Sequence, residues 1–167
     1  LNPNIELHNF YVPAGGNIPD QDVNEKFLHK LNFLEEMSVW FANRRSARAI
    51  LVGDLNVAPS ANDVWSHSRL LNVVSHTPIE VSALKKIMAK GNWVDAVRHF
   101  TPETRKLFSW WSYRARDWSS SNRGRRLDHI WVTPGLLSAL DAAWTLRDIR
   151  GWPDPSDHVP VLLDLDV

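Results

Sequence analysis

Asp54 and Asn56 stand two positions apart, just beyond the apolar run 49–52 and Gly53, with Pro59 closing the segment. Side chains two apart on an extended chain point to the same side, so a carboxylate and a carboxamide can address one point at the mouth of a sheet. Asp offers an acceptor or a general base; Asn offers an acceptor and a donor. The pair suits holding a water against a phosphate. Downstream, Arg126-Leu127-Asp128-His129 sets a carboxylate within a strand pattern, where an unpaired buried charge is costly; pairing with Arg125 or Arg126 is the ordinary solution. Ser156-Asp157-His158 places a carboxylate beside an imidazole at the start of the last strand. Asp supplies a hard oxygen ligand for Mg²⁺, and His donates to a phosphate oxygen or shuttles a proton. Each segment alone reads as a common turn or strand end. Three carboxylate-bearing segments at three strand edges point to a shared site.

The elements that must position these groups follow from periodicity. Residues 5–12 alternate as a strand and run into the loop Pro13-Ala14-Gly15-Gly16-Asn17. Residues 20–45 read as a helix, with Val23, Phe27, Leu31, Leu34, Met37 or Ser38, and Phe41 on one face, Lys26 and Lys30 between them, and Asp20 or Asp22 as cap. The run 49–52 then reads as a strand buried on both faces, which makes a β-α-β unit and an α/β class with α+β character. Residues 79–90 form a second helix ended by Gly91. Residues 92–100 fit a short helix or an extended segment equally. Residues 107–113, 126–133, 142–149 and 158–167 read as strands, with a helical turn at 136–140.

Composition sets the class. The 167 residues are 44% hydrophobic and 23% charged, with 19 basic and 19 acidic side chains, a normal globular balance in which only local charge clusters can mark a polyanionic partner. There is no cysteine, so disulfides and thiolate metal sites are excluded. No stretch has the length and apolarity of a membrane span or a signal peptide, and the default expectation is a bacterial cytoplasmic protein. One charge cluster exists. Five arginines, Arg114, Arg116, Arg123, Arg125 and Arg126, fall within 13 positions with Asp117 as the one acid among them, and Trp110, Trp111, Tyr113 and Trp118 are interleaved or adjacent. Arginines fix phosphates and flat rings stack on bases, so the segment reads as a DNA contact; a solvated loop over a tryptophan core is the bland reading.

These residues carry a resemblance. Gly53-Asp54-Leu55-Asn56, Arg126-Leu127-Asp128-His129 and Ser156-Asp157-His158 resemble, in order and spacing, the endonuclease/exonuclease/phosphatase superfamily. The segments 9–16, Phe108-Ser109-Trp110-Trp111-Ser112-Tyr113-Arg114 and Asn122-Arg123-Gly124-Arg125-Arg126-Leu127-Asp128 are similar to its exonuclease III branch, which includes apurinic/apyrimidinic endonucleases. The resemblance implies a Mg²⁺-dependent (or Mn²⁺-dependent) DNA repair phosphodiesterase acting on duplex DNA at abasic sites and 3′ ends. It implies that Asp54 activates or orients the attacking water, Asn56 fixes water and phosphate, and Tyr11 touches the scissile phosphate. It further implies that Asp157 lies at the metal site with His158, that His158 binds phosphate, and that Asp128 orients His158. Arg114, Arg116, Arg123 and Trp110 would contact DNA, and Trp152 would line a pocket for a baseless sugar; packing under its Pro-rich loop is equally compatible with the sequence. The basic aromatic segment disfavours a phosphatase of small or lipid phosphates.

The implied fold is a four-layer α/β/β/α sandwich, of which residues 1–167 would be a single unit forming the C-terminal part. The chain starts at the strand carrying Tyr11, without counterparts of the family's N-terminal Asn and its Glu metal ligand. Strands 5–12, 49–52 and 159–165 are therefore expected to show bare apolar faces, covered in a longer molecule or by sheet-on-sheet packing of two copies. An inactive half-domain that binds DNA or a partner is the alternative function; nicking of an abasic duplex with Mg²⁺ separates the two.

Overall fold

The computed structural model describes residues 4–44, 46–114 and 117–167. Along the chain, β1 (Glu6–Asn9) leads through a loop to α1 (Glu25–Asn43) and β2 (Ala49–Asp54). A connection containing the short α2 (His67–Leu70) precedes α3 (Pro78–Gly91), β3 (Val94–Asp95) and α4 (Ala96–Phe100). The remainder comprises β4 (Trp110–Trp111), α5 (Trp118–Ser121), β5 (Gly124–Arg125), β6 (Asp128–Val132), β7 (Leu140–Thr145) and β8 (Val161–Leu165). The main sheet has the order β1-β2-β6-β3. Parallel pairing of β1 with β2 across α1 is the expected β-α-β unit, and the α/β class holds. Segment 92–100, open between two readings, is both: a two-residue strand running into a five-residue helix.

Strand alternation divides the core. Ala49 and Leu51 of β2 and Trp131 of β6 face α1 and α3, where they pack with Leu34, Phe41, Leu84 and Ile87. Ile50, Ile130 and Val132 face the other way, against α4, Ala143 of β7 and the β8 residues Val161 and Leu163. The described residues thus stack α1 and α3 on one face of the main sheet, and α4 with the paired strands β7 and β8 on the other. The bare face expected on β2 is not found. Ile50, Ile130 and Val132 are at most 7% exposed, because α4, β7 and β8 lie on them. Toward the β1 edge the cover runs out, leaving Leu7 half exposed, and on β8 the expected face, Val161, Leu163 and Leu165, is partly buried.

Local corrections have local causes. Asn24, rather than Asp20 or Asp22, caps α1, its side chain accepting from Lys26 N; Asp20 instead holds the preceding turn through Asp22 N. Val23 therefore lies outside the helix and is exposed. The buried stripe of α1 is Phe27, Lys30, Leu34, Met37, Ser38 and Phe41, so a lysine occupies a core position. Helix α3 has a Thr77/Glu80 capping box and ends on Asn92 in the left-handed region, one residue past Gly91. Gly53 sits at φ +137, and a Cβ there would stand 1.9 Å from Phe10 O. The chain at Phe10–Val12 can thus lie against the end of β2 through Phe10 N to Val52 O and Val12 N to Asp54 O.

Candidate active site

Strand β2 ends on Asp54, and antiparallel pairing sets Asp54 directly across from Asp128 at the start of β6. The Asp128 carboxylate does not pair with Arg125 or Arg126. It accepts from His158 Nδ1 at 2.8 Å, which leaves His158 Nε2 4.0 Å from Asp54 Oδ2. Two carboxylates from adjacent strands therefore flank one imidazole. Burial, then the Asp128 charge, pushes the Asp54 carboxyl up to about 6, against the Asn56 backbone N–H, His158 and Lys30. Burial disfavours the imidazolium of His158, but the Asp128 hydrogen bond and the charges of Asp128, Asp54 and Asp157 outweigh it and raise its pKa.

Asn56 uses both amide hydrogens inside the protein: Nδ2 donates to Val12 O at 2.8 Å and to Asp54 Oδ2 at 3.0 Å. Its backbone N–H donates to Asp54 Oδ1 at 2.9 Å. Asn56 adopts φ +51, a left-handed conformation that Asn tolerates better than most residues. Its carbonyl accepts from Lys30 Nζ at 2.8 Å. Asn56 thus fixes the Asp54 carboxylate through both its oxygens. Lys30, wholly buried, pairs with Glu80, and Glu80 is further held by Ser75 N, Thr77 N and Thr77 Oγ1. The sequence signal for Lys30 was its spacing, three after Phe27 and four before Leu34, on the buried stripe.

Ser109 Oγ accepts from both Leu127 N and Asp128 N at 3.0 Å, and Val159 N donates to Ser109 O. This one buried serine ties the Asp128 strand to the His158 strand, a role with no local signature. Asp157 Oδ2 accepts from Trp110 Nε1 at 2.9 Å. His129, next to Asp128, points into the protein: it is 1% exposed and donates from Nε2 to Val57 O at 2.8 Å.

A cavity of about 750 Å³ brings together Tyr11, Asp54, Asn56, Trp110 and His158 with Arg114 and Arg123. Arg125, one of the five arginines of the basic segment, and Trp65, which the sequence did not single out, join them. The Tyr11 ring is 68% exposed at its mouth. Trp152 does not line it; it stands 61% exposed after the single helical turn Arg147–Gly151. Arg116 lies outside the described residues.

The layered α/β architecture and this convergence of carboxylate, carboxamide and imidazole at strand ends place the chain in a class of layered α/β proteins with a polar site at the sheet edge. The chain belongs to the endonuclease/exonuclease/phosphatase family, whose pattern matches residues 10–158, and within it to the exodeoxyribonuclease III and AP endonuclease branch. It is 35% identical to an exodeoxyribonuclease of Bacillus subtilis over 120 residues, 71% of this chain and 44% of that protein. It is 29% identical to exodeoxyribonuclease III of Haemophilus influenzae over 165 residues, 94% of this chain and 60% of that protein. An AP endonuclease structure from Archaeoglobus fulgidus superposes with a TM-score of 0.89 at 32% identity, covering 98% of this chain and 62% of that one. The chain therefore spans about half of the curated relatives it matches.

The family's nucleases depend on a metal, typically Mg²⁺. Hard carboxylate oxygens are present, but among the described residues no group of three or more His, Cys, Asp or Glu side chains could hold a metal ion. Asp157 is engaged by Trp110, and His158 has its Nδ1 taken by Asp128. The expected pair Asp157 and His158 does not amount to a metal centre by itself. No helix among the described residues is long and apolar enough to cross a membrane.

Proposed function

We propose that this chain carries the water-activating and phosphate-holding groups of a DNA phosphodiesterase that nicks beside abasic sites and trims 3′ ends of duplex DNA. One observation carries the reading: Asp128 fixes His158 so that Nε2 approaches Asp54, while Asn56 holds Asp54 from two sides. A carboxylate fixing one ring nitrogen sets the tautomer and favours the imidazolium, so Nε2–H can donate to a non-bridging phosphate oxygen. Asp54, with a pKa near neutrality, is suited to take a proton from water at working pH. Tyr11, exposed at the cavity mouth, supplies a further donor to the phosphate. The family's Mg²⁺ (or Mn²⁺), when bound, would polarise that phosphate; Asp157 is the carboxylate offered here. The expected substrate fits the names of the relatives, which include a DNA-(apurinic or apyrimidinic site) endonuclease of Dictyostelium discoideum.

The assay is nicking of an abasic duplex and release of 3′ nucleotides in the presence of Mg²⁺. Binding without cleavage, by this chain and by a full-length relative alike, would refute the reading.

The pH dependence has a definite sign. Activity should rise as Asp54 loses its proton near pH 6 and fall again as His158, raised above its ordinary value, loses its own. The limbs belong to the interacting pair, not to either residue alone. A rate profile flat from roughly pH 5 to 8, the range in which histidine and shifted carboxyls titrate, would remove both assignments.

Arg114 and Arg123 line the cavity without ion pairs among the described residues. Replacing either with alanine should weaken binding to all duplex sequences. It should also reduce the slope of log K against log salt by about 0.9 for each phosphate the arginine had neutralised. An unchanged slope would make them structural. The Arg123 guanidinium over Trp65, at 5.0 Å, shows that it can also stack.

A further inference from the structure

Two neighbouring arginines on the same connection have opposite surroundings. Arg126 is 2% exposed and fully paired, with Nε and Nη2 on the two oxygens of Asp63 and Nη1 on Asp95. Arg125 is half-buried, lines the cavity that holds Asp54 and His158, and makes no ion pair among the described residues. Its Nη1 donates to Val74 O at 3.0 Å and Ser75 Oγ at 2.7 Å, both neutral acceptors. Its guanidinium lies over the Trp110 ring at 5.4 Å. A guanidinium carries five N–H donors, so Nε and Nη2 keep theirs free of partners among the described residues. Glu80 is the carboxylate that acts on Arg125 electrostatically, and it is already engaged by Lys30, Ser75 N and Thr77.

A partly desolvated cation without a counter-ion is costly. This one is also held in a fixed orientation, with its loop contacts behind it and an aromatic face beneath. Its position relative to the reaction centre follows from the strands. Trp110 pairs with Arg125 on one side and bridges to His158 on the other. Directly opposed residues on neighbouring strands project to the same face. Arg125, Trp110 and His158 therefore form a row facing the cavity, with Arg125 two strand spacings, about 10 Å, from His158.

We infer that Arg125 is a specificity-determining residue that receives a second phosphate of the substrate strand, next to the phosphate held by His158. The inference rests on the phosphodiesterase reading above and deepens it. Two phosphates of one strand would be gripped, one at the reaction centre and one at Arg125, with Trp110 between them beneath the intervening sugar. A planar fork with two free donor positions suits a phosphate bidentately. The surface arginines Arg114 and Arg123 would act on the duplex at large. Arg125, pre-oriented and partly dry, would act on a single linkage.

The test is a charge-neutralisation cycle on binding, using the Asp54→Asn protein so that no cleavage intervenes. Duplexes carry one uncharged methylphosphonate at a time, at successive linkages around the abasic site. With Arg125 present, neutralising one adjacent linkage should weaken binding by about 10- to 100-fold, the scale of a charged hydrogen-bonded pair. With Arg125→Leu, native DNA should bind at that weakened level, and the same methylphosphonate should have less than about a two-fold further effect. Arg125→Lys, which keeps the charge and loses the fork, should fall between, and it serves as the readout if the leucine variant melts early. A methylphosphonate penalty that persists undiminished in Arg125→Leu and Arg125→Lys overturns the inference, as does the absence of a penalty at every linkage. Cleavage by the protein with Asp54 intact is read separately. Cleavage without the coupling defeats the Arg125 inference alone, and coupling without cleavage defeats the phosphodiesterase reading alone.

Discussion

Asp54→Asn should lower phosphodiester cleavage by about 10²- to 10⁴-fold, the contribution of a positioned general base, while DNA affinity stays within a few-fold because the arginines supply it. Asparagine has the shape of aspartate and can still accept from Asn56 N, but it cannot take a proton from water. The same change should stabilise the fold. Asp54 stands across from Asp128, and its carboxyl is raised from 3.8 to about 6. For an acid whose folded pKa is raised, the relative stability is greatest below the unfolded value and is lost as pH climbs from there through the folded value. At pH 7 the whole penalty is present, on the order of a few kcal/mol; the neutral amide removes it but forfeits the bond from Asn56 Nδ2, about 1 kcal/mol, so the net gain is smaller. Reduced cleavage with a raised melting temperature is the trade-off expected where a site holds like charges together for function. Cleavage within a few-fold of the unsubstituted protein would end the assignment of Asp54, whatever the melting temperature does.

Arg126→Met should cost about 3–5 kcal/mol of stability, the usual penalty for removing one partner of a buried ion pair. Asp63 is fully buried and accepts from Arg126, Arg98 and Ser60. Burial alone would raise its pKa, but Arg126, followed by Arg98 and Ser60, holds it down to about 2. The sign is opposite to that at Asp54. A depressed carboxyl contributes stability that is present above its unfolded pKa of 3.8 and is lost as pH falls through about 2. Without Arg126 that contribution shrinks at neutral pH, so the urea midpoint of the variant should fall sharply at pH 7 and lie closer to that of the parent in acid. Adding Asp63→Asn should recover part of the loss by removing the stranded charge. A loss under about 1 kcal/mol at pH 7, the size of an exposed pair, would show that Arg126 is not the anchor of this connection. Because Arg126 N also donates to Asp63 O, two residues before Asp128, loosening here should carry into Asp128 as well.

Much of the scaffold was legible because it rests on short-range regularities. Spacings of three and four marked α1 and α3, an apolar run marked β2, and a strand–helix–strand order marked the parallel unit. Asp54, Asn56 and His158 stood out in the sequence as types at strand ends, and the cavity sets them beside Tyr11 and Trp110. Trp152 stands outside this cavity, and its loop carries no periodicity from which the direction of the ring could be read.

Which charge meets which partner was decided only by the tertiary structure. Asp128 had two arginines within three positions, yet its partner is His158, thirty residues away, because β6 and the last segment both anchor on Ser109. Arg125 and Arg126 are adjacent and identical in type, yet strand alternation turns one into the cavity and the other toward Asp63 and Asp95. Lys30 would lie on a solvated face by type but is buried, because Glu80 of α3 and the Asn56 carbonyl meet it there. Local sequence sets what each backbone segment prefers, over a few residues and at roughly a few tenths of a kcal/mol per residue. The environment of a charge is set by desolvation and by partners far along the chain, each worth on the order of several kcal/mol, and those partners come together only when the layers pack.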